Sequence, residues 1–161
     1  ILSMKTTIFL GAMLSLLVCL MFTGCSNSET NSTSRGLTDF AHIEEEYLAT
    51  IDSLNWPDGI TLPDKLEDED TGASFQVGYG ETRASYLWEY SWMKEWLDTY
   101  NTDPERAEKA LEELEKAFDM PYMGIDRCDD ATRNYLRENI DKAKLGDPSG
   151  FTESIRANYA N

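Results

Sequence analysis

Apolar residues recur every three or four positions along most of the chain after residue 37, which is the spacing of an amphipathic helix. The first such stretch predicts a helix over residues 38–54, with Thr38 as its N-cap. Its apolar side consists of Phe40, Ile43, Tyr47, Ile51 and Leu54. The helix should end in the turn at residues 55–59, because Pro57 and Gly59 both interrupt helices.

A second stretch, over residues 81–101, is richer in aromatic side chains and predicts the central helix of the fold. Trp88, Trp92 and Trp96 lie four residues apart, so successive rings are offset by only about 40° around a helix. Ala84 and Tyr100 extend the stripe at its two ends. The polar side is narrow and consists of Arg83, Ser91, Lys94, Glu95 and Asp98. Neighbouring elements should therefore enclose most of this helix.

Three further helices follow. Asp103 and Pro104 are a good N-cap and first-turn pair for a helix that ends before Pro121. The next helix spans about residues 129–145 and is closed by Gly146, and a short last helix covers residues 149–158. The pattern therefore predicts an all-α fold, a small bundle of four to five helices around a central helix rich in tryptophan and tyrosine.

Residues 59–80 have no helical period and contain the acidic run at residues 67–70. We expect a long ordered loop, which could hold a short strand over residues 73–79, although Gly78 weakens that strand. Asp68, Asp70 and Gly72 alternate as in the start of a calcium loop. The twelfth position counted from Asp68 is Tyr79, where an EF-hand needs glutamate, so the acidic run is better explained as a solvated loop.

The hydrophobic fraction, length and net charge limit the classes of protein to which the chain can belong. The chain has 161 residues, 30 acidic and 14 basic, with a formal net charge of −16. With 41% hydrophobic residues it is apolar enough to fold, and its length fits one domain. The negative charge opposes contact with nucleic acid phosphates, so a nucleic acid partner is not expected.

The amino-terminal segment has the pattern of a secretory signal. Lys5 is followed by an uncharged run from Ile8 to Phe22 and then by Thr23, Gly24 and Cys25. As a helix this run would be about 22 Å long, which is shorter than the roughly 30 Å hydrocarbon core of a bilayer. It would therefore span a membrane poorly.

Phe22, Thr23, Gly24 and Cys25 resemble the lipobox of bacterial lipoproteins, although that family normally has Leu at the position of Phe22. The resemblance implies a signal peptide at residues 1–24 that is cleaved, and a diacylglyceryl group on Cys25 as the only prosthetic group. The membrane would then be a partner through this anchor. The protein would be retained on the extracytoplasmic side of the bacterial envelope. Of the two possible membranes, we expect the cell membrane of a Gram-positive bacterium rather than an outer membrane.

Residues 26–36 are mostly Ser, Thr and Asn and cannot bury enough surface to order themselves. Residues 25–36 are therefore interpreted as a lipidated cysteine followed by a flexible tether, and residues 37–161 as a single helical domain. Cleavage and lipidation would leave Cys128 as the one remaining thiol. We expect it to be a small buried side chain rather than a nucleophile.

Catalytic motifs are scarce. His42 is the single histidine and projects away from the apolar side of its helix, so it should face water. This argues against a Ser-His-Asp triad, a Cys-His pair and a zinc cluster of histidines, and no metal site is expected. The glycines at positions 78 and 80 lack the spacing of a phosphate-binding loop.

Glu89 is the most unusual residue, because it falls inside the aromatic arc of the central helix. A carboxylate there must find a partner or stay protonated. It could accept a structural hydrogen bond from an indole, a tyrosine hydroxyl, Arg127 or Arg133. It could instead line a cleft for a sugar or peptide, with Trp88, Trp92 and Trp96 as stacking surfaces, although tryptophans at this spacing usually form core.

The sequence thus favours a lipid-anchored, non-enzymatic binding module with an extracellular protein or glycan ligand. The alternative is a hydrolase of cell-wall or glycan substrates that pairs Glu89 with an acidic loop residue such as Asp70 or Glu81. A third interpretation is that the acidic surface only keeps the domain soluble.

Overall fold

Helices dominate the computed structural model, which describes residues 36–67 and 69–159. In chain order the α-helices are α1 (Phe40–Ser53), α2 (Tyr79–Thr99), α3 (Pro104–Glu115), α4 (Asp130–Lys144) and α5 (Ser149–Asn158). Two short 3₁₀ segments, Lys116–Asp119 and Pro121–Met123, connect α3 to α4. The predicted all-α bundle around a tryptophan-rich central helix is confirmed. The signal segment, Cys25 and the tether up to residue 35 lie outside the described residues.

The one sheet in this part of the chain is a two-stranded ribbon of β1 (Leu37–Thr38) and β2 (Phe75–Gln76). The strands are antiparallel, with Leu37 opposite Gln76 and Thr38 opposite Phe75. The strand suggested for residues 73–79 is therefore real but only two residues long. Because Thr38 pairs in this ribbon, the prediction that it caps α1 is wrong. Asp39 is the N-cap, and its carboxylate accepts a hydrogen bond from the backbone N–H of His42.

The central helix α2 packs against α1, α3, α5 and the second 3₁₀ segment. On one side its Ala84 meets Ile43, Tyr47 and Ile51 of α1. On the other side the tryptophans pack with α3, α4 and α5, through Leu114, Ile140 and Phe151. The helix is even more enclosed than the pattern indicates, because Ser91 is buried and donates its hydroxyl to the carbonyl of Leu87.

The start of α2 is held directly against α1. The helix begins at Tyr79, two residues earlier than expected, after Gly78 in a left-handed conformation with φ of 89°. The carboxylate of Glu46 accepts hydrogen bonds from the backbone N–H groups of Gly78 and Gly80, at 2.8 and 3.2 Å. A carboxylate at a helix N-terminus compensates both the unpaired N–H groups and the helix dipole.

Gly80 is the point of closest approach between α1 and α2. A Cβ at this position would lie 1.8 Å from the backbone carbonyl oxygen of Ile43. Alanine at position 80 would therefore push the two helices apart, although alanine normally favours a helix interior by up to about 1 kcal/mol over glycine.

We expect Gly80→Ala to lower the free energy of unfolding by about 2 kcal/mol or more, measured by chemical denaturation. Gly36→Ala is the control, because a Cβ there meets nothing within 4 Å. A Gly80→Ala protein as stable as the wild type would show that α1 and α2 do not cross at this contact.

Candidate functional site

A cleft of about 830 Å³ opens beside α2, and tyrosines form much of its wall. We define the tyrosine cleft by Tyr86, Glu89 and Tyr90 of α2, Tyr135 of α4 and Tyr159, which directly follows α5. Its volume falls in the range of small-molecule binding sites, roughly 300–1,000 Å³. The cleft is therefore large enough for a small organic ligand.

Contacts between the tyrosines hold the wall of the cleft in place. The rings of Tyr90 and Tyr159 are 4.9 Å apart. The Tyr159 hydroxyl donates to the backbone carbonyl of Tyr86 at 3.3 Å, and the Tyr86 ring packs edge-on against Tyr122 at 5.5 Å. Paired rings at these distances are a stable arrangement, so aromatic faces are presented to the cleft by a largely preformed wall.

Glu89 lies in this wall, and its residue surface is only 7% exposed. The Tyr122 hydroxyl donates to Glu89 Oε2 at 2.6 Å. Within the described part of the chain, Glu89 Oε1 has no hydrogen-bond partner. The sequence offered several partners for this carboxylate, and the structure shows that a tyrosine hydroxyl is the one used.

Burial raises the pKa of Glu89 to about 7 from its usual 4.5, although the hydrogen bond from Tyr122 acts in the opposite direction. Burial and the nearby Glu89 charge also raise the pKa values of Tyr122 and Tyr159 well above the usual range. The tyrosines therefore stay neutral near pH 7, whereas Glu89 exchanges its proton there.

The tryptophans suggested as stacking surfaces are covered. Trp88, Trp92 and Trp96 are at most 2% exposed and belong to the main hydrophobic cluster. The indole N–H groups of Trp88 and Trp92 both donate to the backbone carbonyl of Asn55, at 2.8 and 3.1 Å. The polar atoms of Trp88 and Trp92 are therefore satisfied inside the fold. Trp96 lies at the wall of a second pocket, but at 2% exposure it offers almost no ring surface to a ligand, so all three rings form core.

The residues that the sequence analysis missed are the tyrosines. The helical pattern does not single out Tyr86 and Tyr90, yet they lie close to Glu89 in sequence and line the cleft with it. Their spacing of four residues around a carboxylate was a usable signal. Tyr135 and Tyr159 are brought to the same place by tertiary packing, which the sequence pattern does not encode.

The carboxylates proposed as partners of Glu89 are engaged elsewhere. Glu81 accepts a hydrogen bond from Arg127 at 2.7 Å, and it precedes Glu89 by eight residues, or about 12 Å along the helix. Asp70 accepts from the backbone N–H of Gly72 in its own loop. Among the described residues that line the cleft, Glu89 is the only carboxylate.

The remaining candidates have ordinary structural surroundings. His42 is exposed, as expected, and lies 3.3 Å from Glu46. Cys128 is a partly buried free thiol 3.5 Å from the sulfur of Met123, and burial raises its pKa, which disfavours the reactive thiolate. Arg133 donates to the backbone carbonyls of Met123 and Cys128.

Residues 36–67 and 69–159 lack two further features. No group of three or more histidine, cysteine or acidic side chains there is arranged to hold a metal ion. No helix in the same residues has the length and apolar character that crossing a bilayer requires.

No protein-family model, curated protein or solved structure matches this chain.

Replacement of Glu89 by Gln should change the pH dependence of stability. Folding raises the pKa of this carboxyl, so its stabilising contribution is complete below about pH 4.5 and is lost as the pH rises towards 7. Relative to Glu89→Gln, the wild type should lose about 2 to 3 kcal/mol of unfolding free energy between about pH 5 and pH 8.

Denaturation with urea at the two pH values measures this difference. Glu138→Gln is the control, because Glu138 is an exposed residue of α4. If the wild type and Glu89→Gln change in parallel with pH, Glu89 titrates as an exposed carboxylate and the proposed burial is wrong.

Proposed function

We propose that this chain is a lipid-anchored binding protein of the bacterial envelope that takes a small organic ligand in the tyrosine cleft. The observation that carries the proposal is the cleft itself, a cavity with largely preformed aromatic walls. One buried carboxylate in it keeps Oε1 without a protein partner among the described residues. Convergent polar groups in an otherwise aromatic pocket are typical of ligand sites.

The lipid anchor is supported by the sequence alone, through Phe22, Thr23, Gly24 and Cys25. Acyl chains contribute about 0.8 kcal/mol per buried methylene, so two or more chains give stable attachment without help from the folded domain. The domain would then be exposed on the extracytoplasmic face, where an envelope glycan or an extracellular protein could supply the ligand group.

Cys25→Ala should abolish lipid attachment. In a Gram-positive host grown with an alkyne-tagged palmitate, the wild type should be labelled and should partition into detergent, whereas Cys25→Ala should remain unlabelled and uncleaved. Cys19→Ala is the matched control and should behave as wild type, because Cys19 lies within the predicted signal. Labelling that persists in Cys25→Ala would refute the anchor while leaving the cleft untouched.

Hydrolysis of cell-wall glycans is the second candidate. It is favoured by one observation, the pKa of Glu89 near 7, which suits a general acid. Glycosidases of the usual kind need a second carboxyl about 5 to 10 Å away, and the described cleft residues contain Glu89 alone. Binding without turnover therefore fits the geometry better.

Binding in the cleft is tested by NMR of the folded domain against three probes: muramyl dipeptide, chitotriose and choline. We expect at least one probe to shift the ring signals of the cleft tyrosines. Tyr135→Ala should weaken that probe about tenfold or more, because Tyr135 offers a 40% exposed ring. Leu145→Ala is the control, since Leu145 is 88% exposed and does not line the cleft.

Two results would refute the binding proposal. One is that no probe perturbs the cleft tyrosines. The other is release of new reducing ends from peptidoglycan by the wild type but not by Glu89→Gln, which would establish the hydrolase instead.

A further inference from the structure

Several of the polar groups around the tyrosine cleft are bonded within the protein. The Tyr159 hydroxyl donates to the backbone carbonyl of Tyr86, and the Asn158 amide donates to the carbonyl of Ser154. Arg83, which also lines the cleft, lies 3.4 Å from Glu69 in an ion pair. The groups left for a ligand are the aromatic faces of the wall, the hydroxyls of tyrosines such as Tyr90 and Tyr135, and Glu89 Oε1, which is the one negatively charged group among them.

Aromatic faces and a carboxylate attract the same kind of group. The face of a tyrosine ring is negative and binds ammonium groups within about 6 Å of its centroid. A carboxylate held in low-dielectric surroundings gains much more from a neighbouring cation than from a neutral hydroxyl. A neutral sugar could bond to the hydroxyls of this wall, but it would leave the buried charge of Glu89 without compensation.

Arg83 is the one cation among the described residues that line the cleft, and it is ion-paired with Glu69. The groups with raised pKa values that interact electrostatically with Glu89 include no cation. These groups are Tyr86 on α2, Tyr122 in the second 3₁₀ segment, Cys128 before α4, and Tyr159 after α5. Each of them is neutral when protonated. The chain as a whole carries a net charge of −16, which raises the local concentration of cations.

From this geometry we infer that the tyrosine cleft is an aromatic cage for an organic ammonium group, in which Glu89 Oε1 supplies the counter-charge and Tyr86, Tyr90, Tyr135 and Tyr159 supply the ring faces. The inference rests on the proposed function, because it names the chemical class of the ligand for the same cleft. A methylated ammonium fits best, since its apolar methyl groups pack against rings and need no hydrogen bonds.

Proton linkage follows from the same arrangement. A cation beside Glu89 favours the ionised carboxylate, so binding should expel the proton that Glu89 holds. Affinity should therefore rise with pH through about 7, the pKa of Glu89 in the unliganded cleft. The other groups near Glu89 are tyrosines and a thiol whose pKa values are raised, so they stay neutral over this range.

The test compares choline with 3,3-dimethylbutan-1-ol, which has the same shape without the charge. Isothermal titration calorimetry of the folded domain at about pH 8 should show choline binding about tenfold or more tightly than the neutral alcohol. Glu89→Gln should reduce that preference, since glutamine retains the shape and loses the charge while the ring faces still attract the ammonium group. Lowering the pH to about 5.5 should weaken choline binding to the wild type about tenfold but leave Glu89→Gln unchanged.

Phosphatidylcholine vesicles form a second arm that separates free ligands from lipid headgroups. Binding to free choline without binding to vesicles assigns the cage to a soluble or polymer-borne ammonium, and binding to both assigns it to headgroups as well.

Equal affinity for choline and the neutral alcohol, or full choline affinity in Glu89→Gln, would overturn the inference. If chitotriose or muramyl dipeptide binds and choline does not, the ammonium cage is wrong while the proposed binding function stands. If no probe binds, the ammonium cage and the binding function are both wrong.

Discussion

The hydrogen bond from Tyr122 to Glu89 is the interaction on which the site depends. It joins the second 3₁₀ segment to the middle of the central helix across 33 residues of sequence, and both residues are buried, with Glu89 7% and Tyr122 1% exposed. Without this donor, an ionised carboxylate in the aromatic arc would cost several kcal/mol. With it, Oε2 is held inside the fold and Oε1 remains available to the cleft.

Tryptophan and tyrosine are divided between core and cleft for a physical reason. Trp88 and Trp92 each have one polar atom, and the carbonyl of Asn55 satisfies both, so their large rings can be fully buried. Tyrosines carry a hydroxyl that both donates and accepts hydrogen bonds, so they suit the wall of a cleft that is partly exposed to solvent. One side of the central helix, which carries the tryptophans, therefore belongs to the core. The adjacent side, which carries Tyr86 and Tyr90, belongs to the cleft.

The helices were predictable because their signals are local. Asp103 and Gly146 act at helix ends as the pattern indicated. The β1–β2 ribbon was not predictable in full, because it pairs residues 37 and 39 positions apart in two very short strands. Since Thr38 belongs to this ribbon, the cap of α1 is Asp39. Position on the helical wheel was enough to identify Glu89 as exceptional. The hydrogen-bond partner of Glu89 and the tyrosine wall of the cleft depend on tertiary contacts, and helical periodicity carries no information about these.

The most direct measurement of the central claim is the titration of Glu89 by ¹³C NMR of the side-chain carboxyl, with the signal assigned by its loss in Glu89→Gln. The structure requires a midpoint near 7 and a higher midpoint in Tyr122→Phe, because the tyrosine hydrogen bond lowers the pKa that burial raises. A midpoint near 4.5 that Tyr122→Phe leaves unchanged would contradict the account, since Glu89 would then be an exposed carboxylate outside any cleft.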